Sequence, residues 1–316
     1  MGCYHPSFIP SKERRFNLLM SNRARSIIEA IFAVIVWGGT FVATKVALQQ
    51  VQPDTVVFLR FGMGVIILAA GVQLRRQWIP LTRRDILSLI GLGFLGISFH
   101  QWLQSTGMVT SAASTTAWIV ATSPVFIAIL GWILLKEKAG WLQIAGTVLA
   151  FFGVLLVVTR GDLQLSTIGH IGTIGDALIL ISAINWAVFS VLSRGMLKRL
   201  PSALMMFYVM LFGFIFSSLF FFIKTGPADI LRLNMSGWAA VLVLGIFGSG
   251  LAYIAWYDAL QNLSANQSGV FLNIEPLVTM LVAYVVLGEP ITWASILGGA
   301  VIILGVWLVN RKPAVS

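Results

Sequence analysis

The sequence predicts an all-α integral membrane protein: ten transmembrane helices arranged as two inverted five-helix repeats. Three observations carry that prediction. The chain is 58% hydrophobic and only 10% charged, with a mean hydropathy of +0.91. Its apolar residues fall in ten long runs separated by short polar connections. Its second half matches its first at a nearly constant shift.

Composition decides the class first. A soluble domain carries about 25% charged residues because water must solvate its surface. A chain of 316 residues with 10% has hydrocarbon as its solvent. The net charge of +10 would suggest nucleic acid in a soluble protein. Here the basic residues lie between apolar runs, where they set topology, so no nucleic-acid partner is expected. The lone Cys3 precludes an intrachain disulfide and argues against a thiolate metal site. His5, His100 and His170 show no metal-ligand spacing, and no cofactor is expected.

Each apolar run of about 20 residues reads as a helix, because backbone in hydrocarbon must satisfy its own hydrogen bonds. The runs are 27–47, 55–74, 85–104, 113–135, 141–158, 174–193, 202–223, 237–260, 267–287 and 292–309. They are continuous rather than alternating, which argues against a barrel. Residues 1–26 form a polar, basic extension, with Met20 as an alternative start and residues 1–19 then a poorly ordered leader. The run from Ile27 is too long for a signal-peptide core and leads into further spans, so an uncleaved first helix is expected. Gly2 opens a near-miss to a myristoylation pattern, with Pro6 at the Ser/Thr position.

Basic residues orient the spans. With a cytoplasmic N-terminus, the inner segments hold 16 of the 21 Lys and Arg, among them Arg75, Arg76, Arg83, Arg84, Arg194, Lys198 and Arg199. The outer segments hold three, Arg160, Lys224 and Arg232, and Lys45 and Arg60 lie within spans. Both termini are therefore expected on the cytoplasmic side of the inner membrane.

A shift of 152 residues places Gly93 on Gly245, Gly96 on Gly248, Pro124 on Pro276, Glu137 on Glu289, Trp141 on Trp293, Gly146 on Gly298 and Gly153 on Gly305. In the first span of each half the shift is 149, and Trp37 meets Trp186 while Lys45 meets Arg194. The domains expected are a first repeat over 27–158 and a second over 174–309, followed by a short tail over 310–316. A five-helix unit is odd, so the second copy enters the membrane inverted. Inverted repeats are a hallmark of secondary transporters, because two similar halves generate two access states by exchanging conformations.

These residues carry a resemblance. Trp37-Gly38-Gly39-Thr40-Phe41, Pro124 followed by Leu134-Leu135-Lys136-Glu137, and Pro276 followed by Leu287-Gly288-Glu289-Pro290 are similar to the EamA-type drug/metabolite transporters. The resemblance spans about residues 27–309. It implies a central cavity lined by both halves, with the fifth and tenth helices more peripheral. Members of that superfamily export amino acids and other metabolites, or carry nucleotide sugars and sugar phosphates.

The candidate substrate residues are Trp37, His100, Gln104, Trp118, Asn185, Trp186, Tyr253, Trp256 and Glu275. Gly93, Gly96, His100, Gln104 and Gly107 recur at spacings of three or four, on one helical face, opposite Gly245, Gly248, Ala252, Ala255 and Ala259. Packing alone explains the glycines; sliding also needs such a stripe. Glu275 lies about 12 Å into its span at 1.5 Å per residue. A carboxylate there is expensive unless paired, hydrated or protonated. It reads as a substrate-ammonium contact or a proton-coupling group, and alternatively as a structural carboxylate. His100 reads as a cavity ligand or as a packed, hydrogen-bonded ring. Trp37 and Trp186 lie deep in their spans, away from the interfaces that tryptophans anchor. With Trp118, Tyr253 and Trp256 they suit an amphipathic substrate or cation, or simply pack.

Glu137 and Glu289 are expected at helix ends, and Asp176 and Asp258 in solvent. Arg60 either snorkels outward or attracts an anion. With only Lys45, Arg60 and Arg194 as cationic candidates, a nucleotide-sugar or sugar-phosphate substrate is the less expected alternative. No P-loop pattern occurs, so ATP drive is not expected. A membrane-embedded enzyme would need clustered nucleophile, base or metal ligands, which the scattered histidines do not supply. The expected partners are a small-molecule substrate and the lipid bilayer, with a homodimer left open.

Overall fold

A computed structural model describes residues 12–134, 140–162, 172–260 and 271–310, and every regular element among them is helical. Helix α1 (Lys12–Leu48) begins well before Ile27, so the basic segment from Lys12 continues the first span. The other long helices are α2 (Pro53–Leu74), α3 (Arg83–Gly107), α6 (Trp141–Val158), α7 (Ile174–Leu197) and α8 (Ser202–Lys224). The fourth apolar run is split into α4 (Ala113–Val120) and α5 (Ser123–Leu134). Helix α9 is built from Met235–Leu242, Val243–Leu251 and Ala252–Leu260, and the chain closes with α10 (Glu275–Leu287) and α11 (Trp293–Val309).

Capping chemistry starts these helices where the sequence allows it. Thr82 and Asp85 close a reciprocal capping box on α3, and Thr173 and Asp176 do the same on α7. Asn234 caps α9 through the amides of Ser236 and Gly237. Gly288, at φ 66°, ends α10 in the left-handed region.

Among the described residues, eight helical stretches are long and apolar enough to cross a membrane. Two further apolar helices, α10 and α11, are shorter, at 13 and 17 residues. The surface agrees with that reading. Ile66, Val148, Phe222 and Val285 are more than half exposed on helical faces, an apolar belt that lipid solvates and water would not. The protein is a multi-pass membrane protein.

Irregularities recur in register with the sequence repeat. Helix α3 contains a π-helical segment at Phe94–Phe99, and α9 contains one at Val243–Leu251. The 152-residue shift carries the first into the second. The same shift carries the Ala121–Thr122 break onto Asn273–Ile274, and the opening residue of α5, Ser123, onto that of α10, Glu275. Glu275 therefore begins a helix; the sequence had it within a continuous one. The proline after each break explains the position, since Pro124 and Pro276 donate no amide hydrogen bond and are tolerated in a first turn.

The packing follows the same symmetry. Helix α1 packs on α9 and α10 of the second half, and its counterpart α7 packs on α3, α4 and α5 of the first. Equivalent helices meet directly in two places, α2 against α8 and α6 against α11. At the second, a Cβ on Gly146 would stand 2.6 Å from the carbonyl of Gly305, and one on Gly153 would stand 2.8 Å from the carbonyl of Gly298. The 152-residue shift exchanges these two contacts. The small-residue stripe of α3 instead divides between neighbours. Gly93 abuts Val209 and Gly213 of α8, whereas Gly96 and Gly107 abut Phe189 and Gly175 of α7. The extra residue of the π segment re-phases the face between them.

Backbone contact this close leaves no room for a side chain. Gly146→Val is expected to cost about 1–3 kcal/mol through overpacking. It should lower the thermal midpoint of the detergent-purified protein by several degrees. Val148→Leu, on the exposed face of the same helix, should leave that midpoint unchanged.

Candidate functional site

The candidate residues gather at two symmetry-related seams, each where the first helix of one half meets the π segment of the other. At the seam between α7 and α3, Asn185 donates to the carbonyl of Leu95 at 2.7 Å. His100 Nδ1 lies 3.1 Å from the carbonyl of Ser182, and its ring packs 5.1 Å from that of Trp186. Trp186 continues onto Phe189 at 5.0 Å. Gln104, one turn beyond His100, is buried.

At the seam between α1 and α9, Trp37 Nε1 donates to the carbonyl of Gly248 at 3.1 Å. Its ring meets Tyr253 edge-on at 5.3 Å and Trp256 at 5.4 Å. Glu275 enters from α10. Thr279 Oγ1 donates to the carbonyl of Gly38 at 2.8 Å and lies 3.0 Å from that of Glu275, and a Cβ on Gly38 would touch the Glu275 carbonyl. The Glu275 backbone is thus pinned to α1 beside Trp37. Its side chain is half-buried and has no hydrogen-bond or ion-pair partner among the described residues. Opening a helix, the carboxylate gains about 0.3–1 kcal/mol from the amide dipoles there.

Arg60 links the two seams. Its Nε donates to Ser249 Oγ at 3.1 Å and its Nη1 to Gln101 Oε1 at 3.0 Å. It is 4% exposed, which excludes snorkelling. Tyr253 lies within electrostatic reach of both Arg60 and Glu275. Trp118 stands apart from both seams. It is buried against Gly299 of α11 in an apolar cluster, with its indole N–H unpartnered among the described residues.

A polar knot closes one end of the bundle. Lys45 Nζ donates to the carbonyls of Met108 at 2.6 Å and Ser111 at 2.7 Å, capping the end of α3. Glu289 accepts from the amides of Ala113 and Ser114 at 2.8 and 3.0 Å and from Ser114 Oγ at 2.6 Å, capping α4. Asp176, expected in solvent, is instead buried. It accepts from Ser111 Oγ at 2.5 Å and from the Thr173 amide at 2.6 Å. The knot joins both halves, since Lys45 and Ser111 belong to the first, and Asp176 and Glu289 to the second.

At the opposite end Arg194, the counterpart of Lys45, is exposed. Glu137, the counterpart of Glu289, lies outside the described residues. Arg75 and Asp258 form a two-pronged ion pair there, at 2.5 and 2.6 Å. Sequence reasoning missed the knot because its partners are backbone groups brought together only by the fold.

The EamA-like transporter family matches the chain twice, at residues 24–159 and 173–311. The chain belongs to the EamA-like transporter family. This EamA-like protein is 30% identical over 279 residues to an uncharacterized transporter of Archaeoglobus fulgidus, covering 88% of this chain and 95% of that one. It is 28% identical over 276 residues to the uncharacterized transporter YyaM of Bacillus subtilis, covering 85% and 88%. A protein of Streptantibioticus cattleyicolor named "Probable terminal-alkyne amino-acid exporter" is 26% identical over 298 residues, covering 92% and 94%. A solved crystal structure at 19% identity shares the fold with a TM-score of 0.65, over 90% of this chain and 98% of that chain. The EamA-like chain is therefore a membrane transporter built from two repeats.

Glu289→Ala should leave two helix-end amides and one hydroxyl without an acceptor. Loss of such a cap costs about 0.5–2 kcal/mol. A lower thermal midpoint is the expected readout, with Glu289→Gln intermediate because its amide oxygen still accepts.

Proposed function

We propose that this transporter exports an amino acid or a similar small metabolite across the cytoplasmic membrane by alternating access, with both termini cytoplasmic. The observation that carries the reading is Glu275. It is a carboxylate without a partner among the described residues, at a helix break beside the aromatic group of Trp37, Tyr253 and Trp256. Carboxylate and aromatic faces together are what an ammonium group seeks. The amino-acid exporter named among the relatives favours the same substrate class. Of the nine candidates, eight fall at or beside the two seams, and Trp118 is better read as packing.

The unequal ends support alternating access. Two inverted halves adopting different conformations would close one end and open the other. The knot of Lys45, Ser111, Asp176 and Glu289 is a closed end, whereas Arg194, the counterpart of Lys45, is exposed. Residues placed outside by the charge asymmetry, Lys224 and Arg232 among them, lie at the knotted end. The conformation is accordingly read as closed to the outside. Proton antiport through Glu275 follows if the substrate ammonium and a proton compete for one carboxylate.

Proteoliposomes test the coupling. With a pH gradient imposed, wild-type protein should accumulate one or more of the twenty radiolabelled amino acids against their gradient. Glu275→Gln should abolish that accumulation and flatten its pH dependence while still allowing downhill exchange. Accumulation by the variant matching wild type across the pH range would remove Glu275 from coupling. Topology has its own test. In spheroplasts, an impermeant maleimide should modify Ala228→Cys, exposed in the Pro227–Arg232 turn, and spare Cys3 until the membrane is permeabilised.

A further inference from the structure

We propose that Arg60 is an anion-binding residue of the transport pathway and that the transported molecule presents a carboxylate to it. The inference rests on the reading of these seams as the substrate site and narrows what that site accepts. Of the three cations near the spans, Lys45 is spent on backbone carbonyls and Arg194 is exposed. Arg60 alone of these is fully buried and still lacks an acid.

A guanidinium in hydrocarbon is stable only when its charge and its five N–H donors are answered. Arg60 has two hydrogen-bond acceptors among the described residues, Ser249 Oγ on Nε and Gln101 Oε1 on Nη1, and lies 4.9 Å over the Phe61 ring, and all three are neutral. No carboxylate among the described residues pairs with it. Nη2 has no hydrogen-bond partner among them. These two bonds hold the fork in place from α9 and α3, so the unmet edge has a fixed direction. A Cβ on Gly248 would stand 3.8 Å from Nη2 and 2.6 Å from Thr40 Cγ2, which puts Nη2 at the contact between α1 and α9. Trp37 donates to the carbonyl of that same Gly248, so Nη2 lies near the candidate aromatic group.

The ligand chemistry follows from charge. A carboxylate presents two coplanar oxygens to the Nη1–Nη2 edge and balances one positive charge with one negative. A phosphate would bring more negative charge than a single arginine cancels. Tyr253 lies within electrostatic reach of both Arg60 and Glu275, so a molecule carrying both carboxylate and ammonium would answer both charges.

Thermal shift on the detergent-purified protein tests this with matched trios: L-phenylalanine, phenethylamine and 3-phenylpropionate, and L-leucine, isoamylamine and 4-methylpentanoate. At least one carboxylate-bearing compound should raise the midpoint, and its amine analogue should do so at least tenfold more weakly. Arg60→Gln should raise the half-saturating concentration of that compound at least tenfold. Arg60→Lys, which keeps the charge and loses the fork, should fall between. Monodisperse elution of both variants establishes that they are folded. Acids that bind without an amino group would sink the amino-acid reading and leave Arg60 standing. Amines binding as well as acids, Arg60→Gln retaining wild-type affinity, or a panel silent throughout would each overturn the assignment.

Discussion

Hydrocarbon supplies no hydrogen bonds, and this constraint organises the whole molecule. Any backbone group released from a helix must be answered by the protein itself. Among the described residues the helical ladder is irregular at two π segments and two breaks, and side chains attend each one. Asn185 serves Leu95, Trp37 serves Gly248, and Thr279 serves Gly38 and Glu275. At the break before Pro124, Thr122 and Ser123 turn back onto the carbonyls of Ile119 and Val120. The polar groups that make a site conceivable are therefore the same ones that make the irregular backbone tolerable. Function and fold are not separable at these positions.

Symmetry distributes that cost. Each half lends its first helix to the other, so each π segment also receives a side-chain donor across the seam. A single repeat would lose those two side-chain donors. The two halves are thus interdependent, and the residues that join them are those best placed to meet a substrate. The end closures differ in kind. The knot at Lys45 uses charges to cap helix ends, while Arg75 and Asp258 form a plain ion pair at a water-facing rim.

Periodic features were legible in the sequence. Apolar runs announced the helices, basic residues gave a direction, and the pairs Gly146–Gly298 and Pro124–Pro276 announced the repeat. The proline pair also marked where the fourth and ninth runs break, although continuity of hydrophobic residues concealed the break itself. Glu275 was singled out by its charge in an apolar run, yet its place at a helix start needed the structure. Asp176 looked solvated because position along the chain says nothing of Ser111, 65 residues away. Trp118 looked like its fellow aromatics because depth along a helix does not tell which neighbour a face meets. Arg60 was visible, but its neutral partners Ser249 and Gln101 come from other helices. One-dimensional patterns record how a segment meets its solvent, and they do not record which segment becomes its neighbour.

The glycine contacts between α6 and α11 have a mechanical meaning. The repeat exchanges Gly146–Gly305 with Gly298–Gly153, so under the proposed alternating access this joint would be carried onto itself when the halves swap roles. An interface that looks the same before and after such a swap need not be taken apart during it. It is free to be as tight as backbone contact permits, and tightness there costs nothing in turnover. These two helices would then serve as the axle about which the rest of the bundle turns, fixed because both positions of the machine require it unchanged.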